Sequence, residues 1–145
     1  MTKVASTEAK VASQLTTYTL HLNTAQAATI SKACEVLARL GMGQFKDALE
    51  CLPLKEFMPP GFIEDMEGIA HILKKHTTIM NGVGAYHAIG SHKTDERSKI
   101  AWDLYQVTRH RLAWDANPKG NHMSVMFDKP MKTSKEPLAW MEESE

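Results

Sequence analysis

Hydrophobic and polar positions first alternate with a period of two. From Thr17 to Leu22, Tyr18, Leu20 and Leu22 fall on one side and Thr17, Thr19 and His21 on the other, which predicts a half-buried strand. Asn23 follows with Gln26 three residues on, the pattern of a capping box at a helix start. Ile30, Ala33, Leu37 and Leu40 then recur at helical spacing, with Gly41 as the expected stop. A shorter helix is predicted from about Gln44 to Cys51, burying Phe45, Ala48, Leu49 and Leu52. Pro53, Pro59, Pro60 and Gly61 break the chain, and Pro60 suits the first position of the next helix. That helix carries an apolar stripe of Phe62, Met66, Ile69 and Leu73 and ends in Lys74, Lys75 and His76, where the helix dipole favours cations.

A glycine-bearing loop, Asn81 to His92, leads into a last long helix from Thr94, its expected cap, to about Asp115. Asn117-Pro118-Lys119-Gly120 turns the chain. Beyond it Met123, Val125 and Phe127 alternate with His122, Ser124 and Met126, which predicts a second strand. Pro130 and Pro137 mark an irregular end holding Leu138 and Trp140. The expected fold is α+β and mostly helical: an N-terminal strand, three or four helices and a C-terminal strand. Because a two-stranded ribbon is marginal by itself, dimerisation is expected to complete it. One ligand-binding domain is expected over residues 15–140, after a loose segment (1–14) and before an acidic tail (141–145).

Composition narrows the partners. At 145 residues the chain fits a single domain that buries roughly two-thirds of its unfolded surface. Its 17 basic and 17 acidic residues cancel, so long DNA or RNA is disfavoured, while a small anion needs only a few local arginines. Cys34 and Cys51 show no metal or redox spacing and read as reduced thiols of a cytosolic protein. No apolar run approaches the roughly 20 residues of a membrane span, and no leader pattern opens the chain. A soluble, intracellular protein with no membrane partner is expected.

The candidate chemistry lies in the loop and the helix after it. Glycines at 82, 84 and 90 let the backbone approach a ligand, Tyr86 offers a stacking face, and Arg109 and Arg111 offer paired donors to phosphate. Arg109 lies one helical turn from Tyr105, so a guanidinium and an aromatic face can meet one nucleotide. Arg111 interrupts an apolar row of Ile100, Leu104, Val107 and Trp114. It reads either as an ion pair with Asp115 one turn later or as a ligand contact. His110 shares a face with Asp103 and reads as a solvated surface residue or a neighbour of the ligand. Asp95 and Glu96 repel an anion from the helix N-terminus, so a phosphate would be held by arginine. The loop lacks both the Walker ending and the strand context of a dinucleotide fold.

Nothing announces catalysis. The seven histidines form neither HExxH nor an HxxxH pair on one helical face, and no GxSxG elbow occurs. We expect no metal, no cofactor and no catalytic residues. The alternatives are a hydrolase using His87, His92 or His110, and a protein-binding module presenting Met126, Met131 and Trp140.

The stretch Ala101-Trp102-Asp103-Leu104-Tyr105-Gln106-Val107-Thr108-Arg109-His110-Arg111-Leu112-Ala113-Trp114-Asp115 resembles small bacteriophage and prophage proteins. Leu40-Gly41-Met42-Gly43-Gln44 and Phe127-Asp128-Lys129-Pro130-Met131 fit the same pattern, and within that set the chain most nearly resembles the first type of Thoeris anti-defence protein. The resemblance implies an oligomeric sponge in the cytoplasm of an infected bacterium. Such a sponge sequesters cyclic ADP-ribose isomers or cyclic oligonucleotides without cleaving them. It further implies that Tyr86 stacks on the base, that Arg109 and Arg111 bind phosphate with His110 nearby, and that Ser91 or His92 supplies the polar loop contact. The chain departs from the family in carrying Tyr and His where Phe and Asn are expected.

Overall fold

The structure is a computed structural model that describes residues 16–51, 59–77 and 86–142. It has four helices: α1 (Thr24–Met42), α2 (Phe45–Glu50), α3 (Phe62–Thr77) and α4 (Glu96–Ala116), followed by a 3-10 turn at Val125–Phe127. The capping box forms as read. The Asn23 side chain accepts the Gln26 amide at 2.9 Å, and the Gln26 side chain accepts the Asn23 amide at 3.0 Å. Each side chain meets an amide that the first helical turn leaves without a partner.

Both predicted strands are absent, and the fold is helical among the described residues. Residues 16–22 have no regular secondary structure and pair with no other described segment, and Tyr18 is 91% exposed. Alternation alone does not make a strand, because a strand needs a neighbour to take its amides. Around Val125 the chain satisfies itself locally instead. Asn121 Oδ1 accepts the Met123 amide and Ser124 Oγ the Met126 amide, so the segment closes into a 3-10 turn.

Helix boundaries also shift. α1 passes through Gly41 and ends at Gly43, the residue with left-handed φ (80°), where the amides of Gly43 and Gln44 take the Leu40 and Arg39 carbonyls. Gly61 has φ 84°, so α3 starts after it, at Phe62 and not at Pro60. Asp95, not Thr94, caps α4, its carboxylate accepting the Ser98 amide. Thr94 is buried and donates its hydroxyl to the Ala88 carbonyl.

The body is an antiparallel pair of α1 and α4: Gly41 meets Ser98, while Lys32 lies within electrostatic reach of Tyr105. The face α1 buries is Ala27, Ser31, Glu35, Ala38 and Met42, one to two positions round from the stripe of larger residues. Leu37, on that stripe, is 47% exposed. From α4 the buried residues include Ala101, Val107 and Thr108. Small side chains on both helices let the backbones approach, and dispersion contacts, not bulky knobs, fill the seam.

Glu35 enters this seam with its charge matched. It accepts Lys32 Nζ at 2.8 Å and Arg39 Nε at 3.0 Å, and Arg39 reaches on to Gln44 Oε1 at the start of α2. Burial alone would raise the Glu35 carboxyl. The Lys32 and Arg39 hydrogen bonds outweigh it and hold the group below the ordinary carboxylate range. α2 packs on α1 and α3 on α2, with an exposed Lys46–Glu67 ion pair (2.7 Å) between the latter two.

The closest point of the α1–α4 crossing tests the packing account. A Cβ on Gly41 would sit 1.8 Å from Ser98 Oγ and 2.5 Å from Ser98 Cβ, so a rotamer change cannot relieve it and the helices must move apart. G41A is expected to cost about 2 kcal/mol and lower Tm by several degrees, although alanine is the better helix former. Adding S98G should restore part of the loss. A thermal melt of G41A at or above wild type would refute the close crossing.

Candidate functional site

The site residues proposed from sequence divide into three places. Tyr86, Ser91 and His92 lie in the turn before α4. That turn is tied to the end of α1 by the His87 amide on the Met42 carbonyl (2.8 Å) and closed by the Ser91 amide on the Ala88 carbonyl (2.9 Å). Tyr86 and His92 are exposed there, and Ser91 Oγ accepts the Lys93 amide. Residues 81–85 of the glycine-bearing loop, with Gly82 and Gly84, lie outside the described residues. At 1.5 Å per residue, Arg109 stands roughly 21 Å along α4 from the Asp95 cap. The turn and the arginines therefore occupy opposite ends of this helix in one subunit.

The second place is a flank of α4. The Arg109 guanidinium lies over the Tyr105 ring, 5.3 Å from its centre, and Trp102 tilts against Tyr105 at 5.3 Å. The spacing of four residues makes this contact, as expected of one helical turn. Among the described residues Arg109 has no carboxylate partner, and its buried Nε finds no acceptor. By contrast, Arg39 engages Glu35 and Asp47, and Arg111 engages Asp115. Trp102 shares a helical row with Arg109 in the sequence, and its three-residue spacing from Tyr105 is the signal for the ring contact, which was not among the sequence-predicted site residues.

The third place is the face two residues further round. Arg111 Nε and Nη2 meet Asp115 Oδ2 and Oδ1 at 3.1 and 2.7 Å, a fork-to-fork ion pair. Of the two readings of Arg111, the structure contains the ion pair. His110 does not meet Asp103; its Nε2 accepts the Trp114 indole N–H at 3.1 Å, which puts the proton of the neutral ring on Nδ1. Trp114 is further fixed by the edge of Phe127 (5.2 Å) and by Gly120, whose missing Cβ would lie 2.9 Å from the indole. His110, Arg111 and Trp114 line one wall of an open groove of about 550 Å³, and Pro130, Leu138 and Trp140 line the other.

That opposite wall is a strap, residues 128–142, held on α4 by side chains whose role was not read from sequence. Asp103 accepts the amides of Thr133 (2.7 Å) and Ser134 (2.9 Å) and both their hydroxyls (2.6 Å each). Gln106 pairs with both backbone groups of Met131, and Glu96 accepts the Lys135 amide. Burial pushes the Asp103 carboxyl up, but these four donors outweigh it and leave the group below its usual range. A carboxylate on the inner face of α4 was the available signal, yet nothing local marks Thr133-Ser134 as its partner thirty residues on.

Among the described residues no three His, Cys, Asp or Glu side chains gather to hold a metal ion, and no helix is long and apolar enough to cross a membrane. Comparison of the chain with family models, characterised proteins and solved structures found no match.

The Asp103 clasp has a pH sign. Its folded pKa lies below the unfolded value near 3.9, so its contribution is complete above about pH 4 and is lost as pH falls through the folded value. Acidification should free the strap, seen as a change in tryptophan fluorescence, with no comparable transition between pH 5 and 7. At neutral pH, D103A should cost about 3 kcal/mol and speed tryptic cleavage at Lys132 and Lys135 severalfold. Unchanged cleavage would mean that the strap is held by other contacts.

Proposed function

We propose that this chain is a non-catalytic binding protein that sequesters a small anion carrying a base, in the manner of the anti-defence sponges it resembles. The observation that carries this reading is Arg109: a guanidinium held on the Tyr105 ring, backed by Trp102, with no carboxylate among the described residues to neutralise it. A positive charge in a fixed orientation beside aromatic faces suits a phosphate joined to a nucleobase. The ring has already restricted the side chain, so a ligand meets less of the ordering cost of binding.

On this reading the ligand is a cyclic ADP-ribose isomer or a cyclic oligonucleotide, met in the cytoplasm of an infected bacterium. The protein acts by mass action, needing affinity and abundance but no turnover. Arg109 is its main phosphate contact, with Tyr105 and Trp102 beside it. Arg111, engaged by Asp115, takes a lesser part, and His110 supports Trp114. Tyr86, Ser91 and His92 stand too far along α4 to touch the same ligand within one subunit, so they join it only if a second copy presents its turn to this flank.

Thermal shift against cyclic ADP-ribose isomers and cyclic di- and trinucleotides tests this directly. One ligand class should raise Tm by several degrees and be recovered intact after heating. R109A should weaken that ligand about tenfold or more while leaving Tm of the free protein within a degree or two, and R109K should restore only part, because lysine lacks the planar fork. Recovery of an altered ligand would make the chain a hydrolase. No shift with any member of the panel would leave the protein-blocking reading.

A further inference from the structure

We infer that α3 is a self-association helix, pairing antiparallel with α3 of a second copy through its outward apolar stripe. Of the described helices, α3 touches only the six-residue α2. A helix of sixteen residues depends on tertiary burial, and one face of α3 has it, with Ala70 and Lys74 buried. Yet Ile69 is 49% exposed and Ile72 58%, and Leu73 is exposed beside them. Three large aliphatic side chains on one amphipathic face would leave water on association.

The polar residues on that face say what covers it. By helical spacing, Asp65 and His76 lie at the two ends of the stripe and Ile69 and Ile72 lie between them. Both pairs are centred on the same point, between Ala70 and His71. A two-fold axis through that point sets each Asp65 beside the other copy's His76 and each Ile69 beside the other copy's Ile72. The contact is therefore self-complementary, as an isologous interface must be. The helix ends agree: acidic Glu64 and Asp65 in the first turn approach the basic last turn of the partner, and the antiparallel dipoles attract. A parallel arrangement would stack acid on acid. Zero net charge on the chain adds no long-range repulsion between copies.

An interface made by one helix from each copy sits at the small end of the size range, so the dissociation constant should be on the order of micromolar. Sedimentation equilibrium of the full chain across a concentration series bracketing that value should show a monomer–dimer equilibrium. I72E, at an exposed position, should raise the dissociation constant at least about tenfold with an unchanged far-UV circular dichroism spectrum. D65K should weaken the dimer, and the double variant D65K/H76E, which restores opposite charges, should return most of the affinity. A wild-type chain that stays monomeric to hundreds of micromolar would overturn the proposal, as would a dimer that neither I72E nor D65K weakens. Neither readout depends on a ligand, so the outcome is separate from that of the sponge reading.

Discussion

Everything described here is organised by how closely α1 and α4 approach. Gly41 sits against Ser98, and Ala27, Ala38 and Ala101 fill the seam around them. Small residues gain little hydrophobic free energy individually, but they permit backbone approach and many short-range contacts. The choice of that face has a consequence. With small residues facing inward, Leu37 and Leu40 face outward. A helix pair packed this way keeps its rigidity in the middle and its adhesive surface on the outside.

The buried carboxylates follow one rule. Each buried carboxylate is surrounded by enough donors to stay ionised. Glu35 has a lysine and an arginine; Asp103 has two amides and two hydroxyls. Both groups are pulled below their usual range although burial opposes it. The Asp103 cluster also does what a strand ladder would otherwise do for the chain beyond Lys129. It takes backbone donors in the strap directly, with Gln106 imitating a backbone peptide toward Met131. That is why the C-terminal segment lies on α4 with no regular structure of its own.

What the sequence made legible was mostly local. The Asn23–Gln26 box, the turn at Asn117–Gly120 and the basic end of α3 need only neighbouring residues, and they appear where spacing put them. The Tyr105–Arg109 contact belongs with them, being one helical turn. What failed required knowledge of a distant partner. Tyr18, Leu20 and Leu22 alternate as a strand should, but no described segment pairs with them. Gly41 looked like a terminus because glycine weakens helices. Its actual reason is Ser98, which sequence gives no cause to place against it. The inner face of α1 is not the one hydrophobicity points to, because closeness of packing decides between two faces of one helix. Asp103 belongs to the same class, since its donors come from a part of the chain with no periodicity.

The same distinction bears on the candidate site. Three arginines illustrate how a charge is accounted for: Arg39 is consumed by Glu35, Arg111 by Asp115, and Arg109 by no carboxylate among the described residues. An arginine on a ring rather than on an acid keeps its full charge while losing much of its conformational freedom. Its ring is on the same helix, so this geometry survives any rearrangement that leaves α4 intact, including association through α3, which makes no contact with α4. The turn carrying Tyr86 and His92 is not protected in that way. It is anchored to the far end of α4 through Met42 and Ala88, and only a neighbouring molecule can bring such a turn against an Arg109 flank. A ligand contact at Arg109 would need only the helix, whereas recruitment of the turn would need an assembly.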